Sequence, residues 1–205
     1  MAFYNEEYDY STFSYWLGNP KDALKVFAGG YRSAAEHLAE SLLRRPGFPA
    51  HEAYPVVFLY CHALELSLKH AIYKAAEFAD YAGASEVEGR LRNIHDLPKL
   101  SEALVRSLEL LFPKDIFLRD LVLRITTTSR ELDAMVVTSF RYPIDQRGQP
   151  AAESNRFINL RAFAQHMSSL LEDVDTLNFG LDAQTYIAQE AFTESVLAGL
   201  STSGG

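Results

Sequence analysis

Glu65 and Lys69 stand four residues apart in the run Tyr60-Cys61-His62-Ala63-Leu64-Glu65-Leu66-Ser67-Leu68-Lys69, which is otherwise largely apolar. On a helix that spacing puts carboxylate and ammonium on one face, where they can pair. An exposed pair of this kind is worth a few tenths of a kcal/mol. Partly buried, it matters more for geometry than for stability. His95 precedes Asp96, a natural helix cap, and its side chain is expected to hydrogen-bond a neighbouring backbone group. Arg141 sits where a helix is expected to end and a cation suits the dipole, and Tyr142-Pro143 then turns the chain away. Tyr142 offers a ring for stacking, and Arg147 lies in the turn Asp145-Gln146-Arg147-Gly148. Arg141, Tyr142, Arg147 and His95 are therefore the candidate ligand-facing residues.

Other chemistries find less to work with. Cys61 is the single cysteine, so no internal disulfide can form, and an apolar helical setting suits it as a small core residue. His62 and His70 are eight apart with no third ligand that would suggest zinc. Gly29-Gly30 is not followed by the Lys-Ser/Thr pair of a phosphate loop. Glu172, Asp173 and Asp175 read as a solvated helix end. Neither a metal nor a cofactor is expected.

The elements that must position these groups are helical. Of 205 residues, 48% are hydrophobic and 12% aromatic, enough for a packed core. The net charge of −8 excludes polyanion binding through the global field, so nucleic-acid contact would need a local basic cluster, such as one shared across a dimer. The start Met-Ala-Phe-Tyr-Asn-Glu-Glu lacks the regions of a signal peptide, and no apolar stretch approaches the roughly 18 residues of a membrane helix. A cytoplasmic protein without membrane partners is expected.

Residues 1–18 form an aromatic, acidic N-terminal arm suited to packing on the body or on a partner. Asn19-Pro20 opens a first helix running to Leu42, interrupted by Gly29-Gly30, where close approach of another helix is expected. A second helix spans about Glu52 to Tyr81 and a third starts at Asp96 and ends at Phe112-Pro113. A fourth covers about Lys114 to Ser139 and contains the β-branched run Thr126-Thr127-Thr128. Residues 140–157 read as an irregular or β-hairpin excursion. Asn159 caps a fifth helix ending near Leu177, and a short helix at 183–197 precedes a loose tail. The expected fold is all-α: an up-down bundle of four to five long helices over 19–180, with residues 181–205 as C-terminal helix and tail.

Three segments in order resemble the HEPN family of helical bundles. Tyr60 to Lys69 resembles its second-helix pattern of an acid with a lysine four positions on. Ile94-His95-Asp96-Leu97-Pro98-Lys99-Leu100 resembles its third-helix opening, and Phe140-Arg141-Tyr142-Pro143-Ile144-Asp145 resembles an element after its fourth helix. Together they cover about residues 20–177. The resemblance implies a homodimer in a prokaryotic defence or toxin–antitoxin setting, with RNA, a nucleotide, or a cognate antitoxin or defence protein as partner.

Catalytic HEPN members are metal-independent ribonucleases, and the resemblance implies an Arg-x(4–6)-His motif assembled from two subunits. Histidine can move a proton at the ribose hydroxyl, and arginine can hold the phosphate. Arg32/His37, Arg45/His51, Arg90/His95 and Arg161/His166 all fit that spacing. No histidine follows Arg130 or Arg141 at the family's usual place. Arg161 and His166 are the catalytic candidates; five residues apart, they point about 140° apart on an ideal helix and would have to act across a dimer. The first expectation is a HEPN-like dimeric binding module. The second is a HEPN ribonuclease using Arg161 and His166, and the third is a structural interaction protein docking through its arm.

Overall fold

The computed structural model describes residues 23–45, 47–82, 94–134 and 158–202. The expected arm at 1–18, the excursion at 140–157, and Arg90, Arg141, Tyr142 and Arg147 lie outside the described residues. Five α-helices make up the described body: α1 (Ala23–Leu43), α2 (Ala53–Tyr81), α3 (Leu97–Leu111), α4 (Ile116–Ala134) and α5 (Leu160–Thr202), with a 3-10 turn at Ala50–Glu52 before α2. No strand occurs among the described residues.

Each start has a local cause. Asp96 accepts the Lys99 amide at 3.0 Å and caps α3, with Pro98 in the first turn, where a missing N–H costs nothing. Asp115 takes the Phe117 and Leu118 amides at the start of α4. Asn159 takes the Ala162 amide at 3.1 Å for α5. The Thr126-Thr127-Thr128 run stays helical because Thr128 and Ser129 are buried in the bundle; Thr126 Oγ1 meanwhile bonds back to the Val122 carbonyl at 2.8 Å.

The bundle is organised around α2, which packs on α1, α3 and α5. Val56, Val57, Leu64, Leu68, Ile72 and Ala75 are fully buried along it. Neighbours supply Ala35 and Leu42 from α1, Leu100 and Leu104 from α3, and Met167, Leu170 and Val174 from α5. No described helix is long and apolar enough to cross a membrane.

The expected up-down alternation is broken once. Glu65 of α2 meets His95 at the start of α3, and Phe78 stacks on Phe112 at its end, with ring centroids 5.8 Å apart. Both contacts advance in the same chain direction, so α2 and α3 run parallel. Lys25 and Arg32 of α1 meet Asp182 and Asp175, so α1 runs antiparallel to α5, and Tyr60, Ser67 and Lys74 of α2 meet Ser168, Asn178 and Thr185, so α2 runs parallel to α5 and antiparallel to α1. Thr128 meets His166, and Arg124 meets Asp173, so α4 and α5 are antiparallel.

Three further expectations are corrected. No separate helix follows Leu177: α5 is one continuous helix of 43 residues. Tertiary contacts carry it through the break signals Asn178 and Gly180. Leu181 is buried, Asn178 Nδ2 donates to the Ser67 carbonyl at 3.4 Å, and Asp182 pairs with Lys25 at 2.8 Å. Gly29 and Gly30 do not admit a close neighbour, since nothing lies within 4 Å of where their Cβ atoms would stand. Glu172, Asp173 and Asp175 are not a solvated helix end. They lie inside α5, where Glu172 and Asp175 pair with Arg32 and Asp173 with Arg124.

Gly180 sits in open space within the helix. Gly180→Ala should therefore stabilise the protein by roughly 0.5–1 kcal/mol in urea unfolding, the usual gain of a helical Ala over Gly. A loss of stability would mean that the helix bends there.

Candidate functional site

Glu65 and Lys69 are ionisable side chains that α2 carries into its buried face at neighbouring turns; both are less than a tenth exposed. A carboxylate in that position is costly unless its oxygens are paired. Lys69 Nζ donates to Glu65 Oε1 at 2.7 Å, and His95 Nδ1 lies 2.9 Å from the same oxygen. His62 Nδ1 stands 3.5 Å from Oε2, at the limit of hydrogen bonding. Burial alone would push the Glu65 carboxyl up. The donors His62, Lys69 and His95, together with the Lys69 charge, outweigh it and hold the group at about 2.

Glu65 is therefore ionised at neutral pH, and an ionised carboxylate can only accept. His95 Nδ1 must then carry the proton it shares, which leaves Nε2 turned away from the hub. The His95 side chain is 65% exposed, so the imidazole has one edge anchored and the other toward solvent. The Asp96 cap and the buried Leu97 fix the backbone on which it stands. The Lys99 amide bond also holds the Asp96 carboxyl below its ordinary value. A backbone partner was expected for His95; the structure gives it a carboxylate from another helix instead.

His62 completes the cluster. Its ring stacks on Phe58 at 5.7 Å and receives the edge of Tyr31 at 4.5 Å, so α1 and α2 together set its orientation. The arrangement can orient a histidine as a hydrogen-bond partner or base, as a carboxylate orients an imidazole in many sites. Cys61, next in sequence, takes no part: it is buried, and burial pushes its thiol up to about 12.

Arg161 and His166 are both exposed in the first turns of α5. They are not brought together within the chain, and His166 Nε2 is engaged with Thr128 Oγ1 at 2.7 Å. Arg32 is held by Glu36, Glu172 and Asp175, while His37 Nδ1 donates to the Ser33 carbonyl. Arg45 pairs with Glu52. Among the described residues, the Arg-x(4–6)-His spacing thus marks ion pairs and surface contacts.

His62 was missed as a member of the cluster, although its place three residues before Glu65 puts it on the same helix face. Tyr31 had no signal beyond its place in the first helix. Compared with protein-family models, curated proteins and solved structures, the chain matches none. The site therefore stands on its own geometry.

Because the Glu65 carboxyl is held below its ordinary 4.5, its contribution to stability is complete above that pH and is lost as acid carries it through about 2. The contribution is on the order of 3 kcal/mol. Glu65→Gln should lower the unfolding free energy near neutral pH by a similar amount, since it strands the Lys69 ammonium. It should also flatten the acid limb between 4.5 and about 2. Urea unfolding of both proteins across that range checks this; an unchanged acid limb would remove Glu65 from the account. The double change Glu65→Gln with Lys69→Met should recover part of the loss.

Proposed function

We propose that the chain is a HEPN-like binding module, acting as a dimer in a prokaryotic defence or toxin–antitoxin setting. Its ligand is a phosphate-bearing nucleotide or RNA segment met by His95. The observation that carries the reading is the Glu65 hub. It ties the segment Tyr60 to Lys69 to the segment Ile94 to Leu100, and it leaves an anchored imidazole with one nitrogen outward. These are two of the three segments in which the sequence resembles the family.

The sequence adds to it. Arg141, Tyr142 and Arg147 would supply the local positive charge and stacking surface that a protein of net charge −8 needs to hold a phosphate.

The ribonuclease reading has less support. Arg161 and His166 diverge on α5, and the His166 nitrogen that would serve a substrate is engaged with Thr128.

Calorimetric titration with AMP, ATP and short oligoribonucleotides tests the proposal. His95→Ala and Arg141→Ala should each weaken binding at least about tenfold, the effect of losing one charge-assisted contact, with helical circular dichroism retained, and His95→Ala should also lower the unfolding midpoint, because it takes a donor from Glu65. Absence of binding by the wild type, or affinity indifferent to His95→Ala, would remove the proposal. EDTA-resistant RNA cleavage that disappears in Arg161→Ala/His166→Ala would replace it with the ribonuclease.

A further inference from the structure

His70 is an imidazole sealed into the seam between α1, α2 and α5, with 6% of its side chain exposed. Its Nε2 stands 3.5 Å from Asp182 Oδ1, at the limit of hydrogen bonding, and has no other partner among the described residues. Asp182 is itself shared. Its Oδ2 accepts from Lys25 Nζ at 2.8 Å, and Lys74 Nζ lies 3.8 Å from Oδ1. Lys74 also donates to Glu77 at 2.9 Å. The charged groups that face His70 are thus Asp182 from α5, Lys25 from α1 and Lys74 from its own helix.

The balance of this cluster turns on the charge of the ring. Burial opposes a proton there, as do Lys25 and Lys74, against the pull of Asp182, and the pKa is held below its ordinary 6.5. Near neutral pH the ring is uncharged, and Asp182 is left to Lys25. A proton from water would put three cations around that carboxylate. The imidazolium cannot retreat, because its helix holds it inside, and a buried N–H of a cation needs an acceptor. The Lys25 side chain is 38% exposed, so its ammonium can turn to water instead.

We propose that His70 is a proton-operated latch: protonation of its ring draws Asp182 away from Lys25 and frees the first turns of α1 from α5. What gives way is local. Arg32, nearly two turns beyond Lys25, keeps its pairs with Glu36, Glu172 and Asp175, and Ala35 and Ala39 stay packed behind it. The turns from Ala23 to Tyr31 therefore loosen while the rest of α1 holds. Stability changes in the same sense. Above 6.5 the ring is neutral in the folded and the unfolded chain. Below it the unfolded chain binds the proton first, so stability falls with pH and levels off once the folded ring is charged. The latch goes beyond the His95 reading and shares no residue with that site.

Amide hydrogen exchange at about pH 7.5 and about pH 5, expressed as protection factors so that the intrinsic pH dependence cancels, reads the latch. Protection from Phe27 to Tyr31 should fall at least about tenfold at the lower pH, and by more than at Leu104 and Leu108 of α3. His70→Gln keeps a polar group of similar reach that cannot charge, and the fall should disappear. Lys25→Met changes a partly exposed side chain and leaves His70 in place. It should show the loosened first turns already at the higher pH, with little further change at the lower. Wild-type protection indifferent to pH, the same fall in His70→Gln, or a Lys25→Met protein as well protected as the wild type at the higher pH would each overturn the latch.

Discussion

A carboxylate placed inside a helix bundle dictates where its partners must be. Glu65 lies on the most buried helix, and its charge is tolerable only with Lys69 one turn on and His95 across from it. Lys69 is local and comes with the helix. His95 is thirty residues away, and satisfying it fixes where α3 begins. Since Phe78 and Phe112 also stack, α3 must run parallel to α2. Much of the bundle's topology thus follows from one ion pair with a third member.

A second set of charges sews α1 to α5. Asp182 draws Lys25 from α1 at 2.8 Å and lies 3.5 Å from His70 and 3.8 Å from Lys74 on α2. Arg32 spans Glu36 on its own helix and Glu172 and Asp175 on α5. Glu36 in turn accepts from Ser168, whose hydroxyl meets the buried Tyr60. Exposed pairs of this kind contribute little singly. Half-buried and linked, they set the register between helices whose small residues, such as Ala28, Ala35 and Ala39, specify no single fit. His70 is buried within this seam. Burial and the nearby lysines push its pKa down against the pull of Asp182.

What was legible in the sequence was mostly local. Asp96 and Asn159 cap helices as their types and positions indicate. The stripe Leu64, Leu68, Ile72 lies in the core, and the spacing of Glu65 and Lys69 gives the pair that forms. Contacts between distant segments were hidden. Nothing in one sequence says that His95 turns to Glu65 rather than to backbone, or that Arg32 is consumed by acids 140 and more residues away. Asn178 and Gly180 look like a helix end because their intrinsic costs are visible while the burial of Leu181 that overrides them is not. The Arg-x(4–6)-His spacing failed in the other direction. So short a pattern recurs wherever arginines and histidines decorate helices.

The continuity of α5 makes it about 65 Å long by helical rise, while its buried side chains end at Thr185 and Phe192 beyond them meets the end of α2 at Tyr81. Its hydrogen bonds therefore cannot all be equally durable. Those between Ala164 and Leu181 open only with the core, whereas those after Tyr186 lack buried side chains and can open one turn at a time. A single secondary-structure element thus holds two classes of stability, and anything that grips its far end changes the lifetime of the helix there without altering the bundle that anchors it.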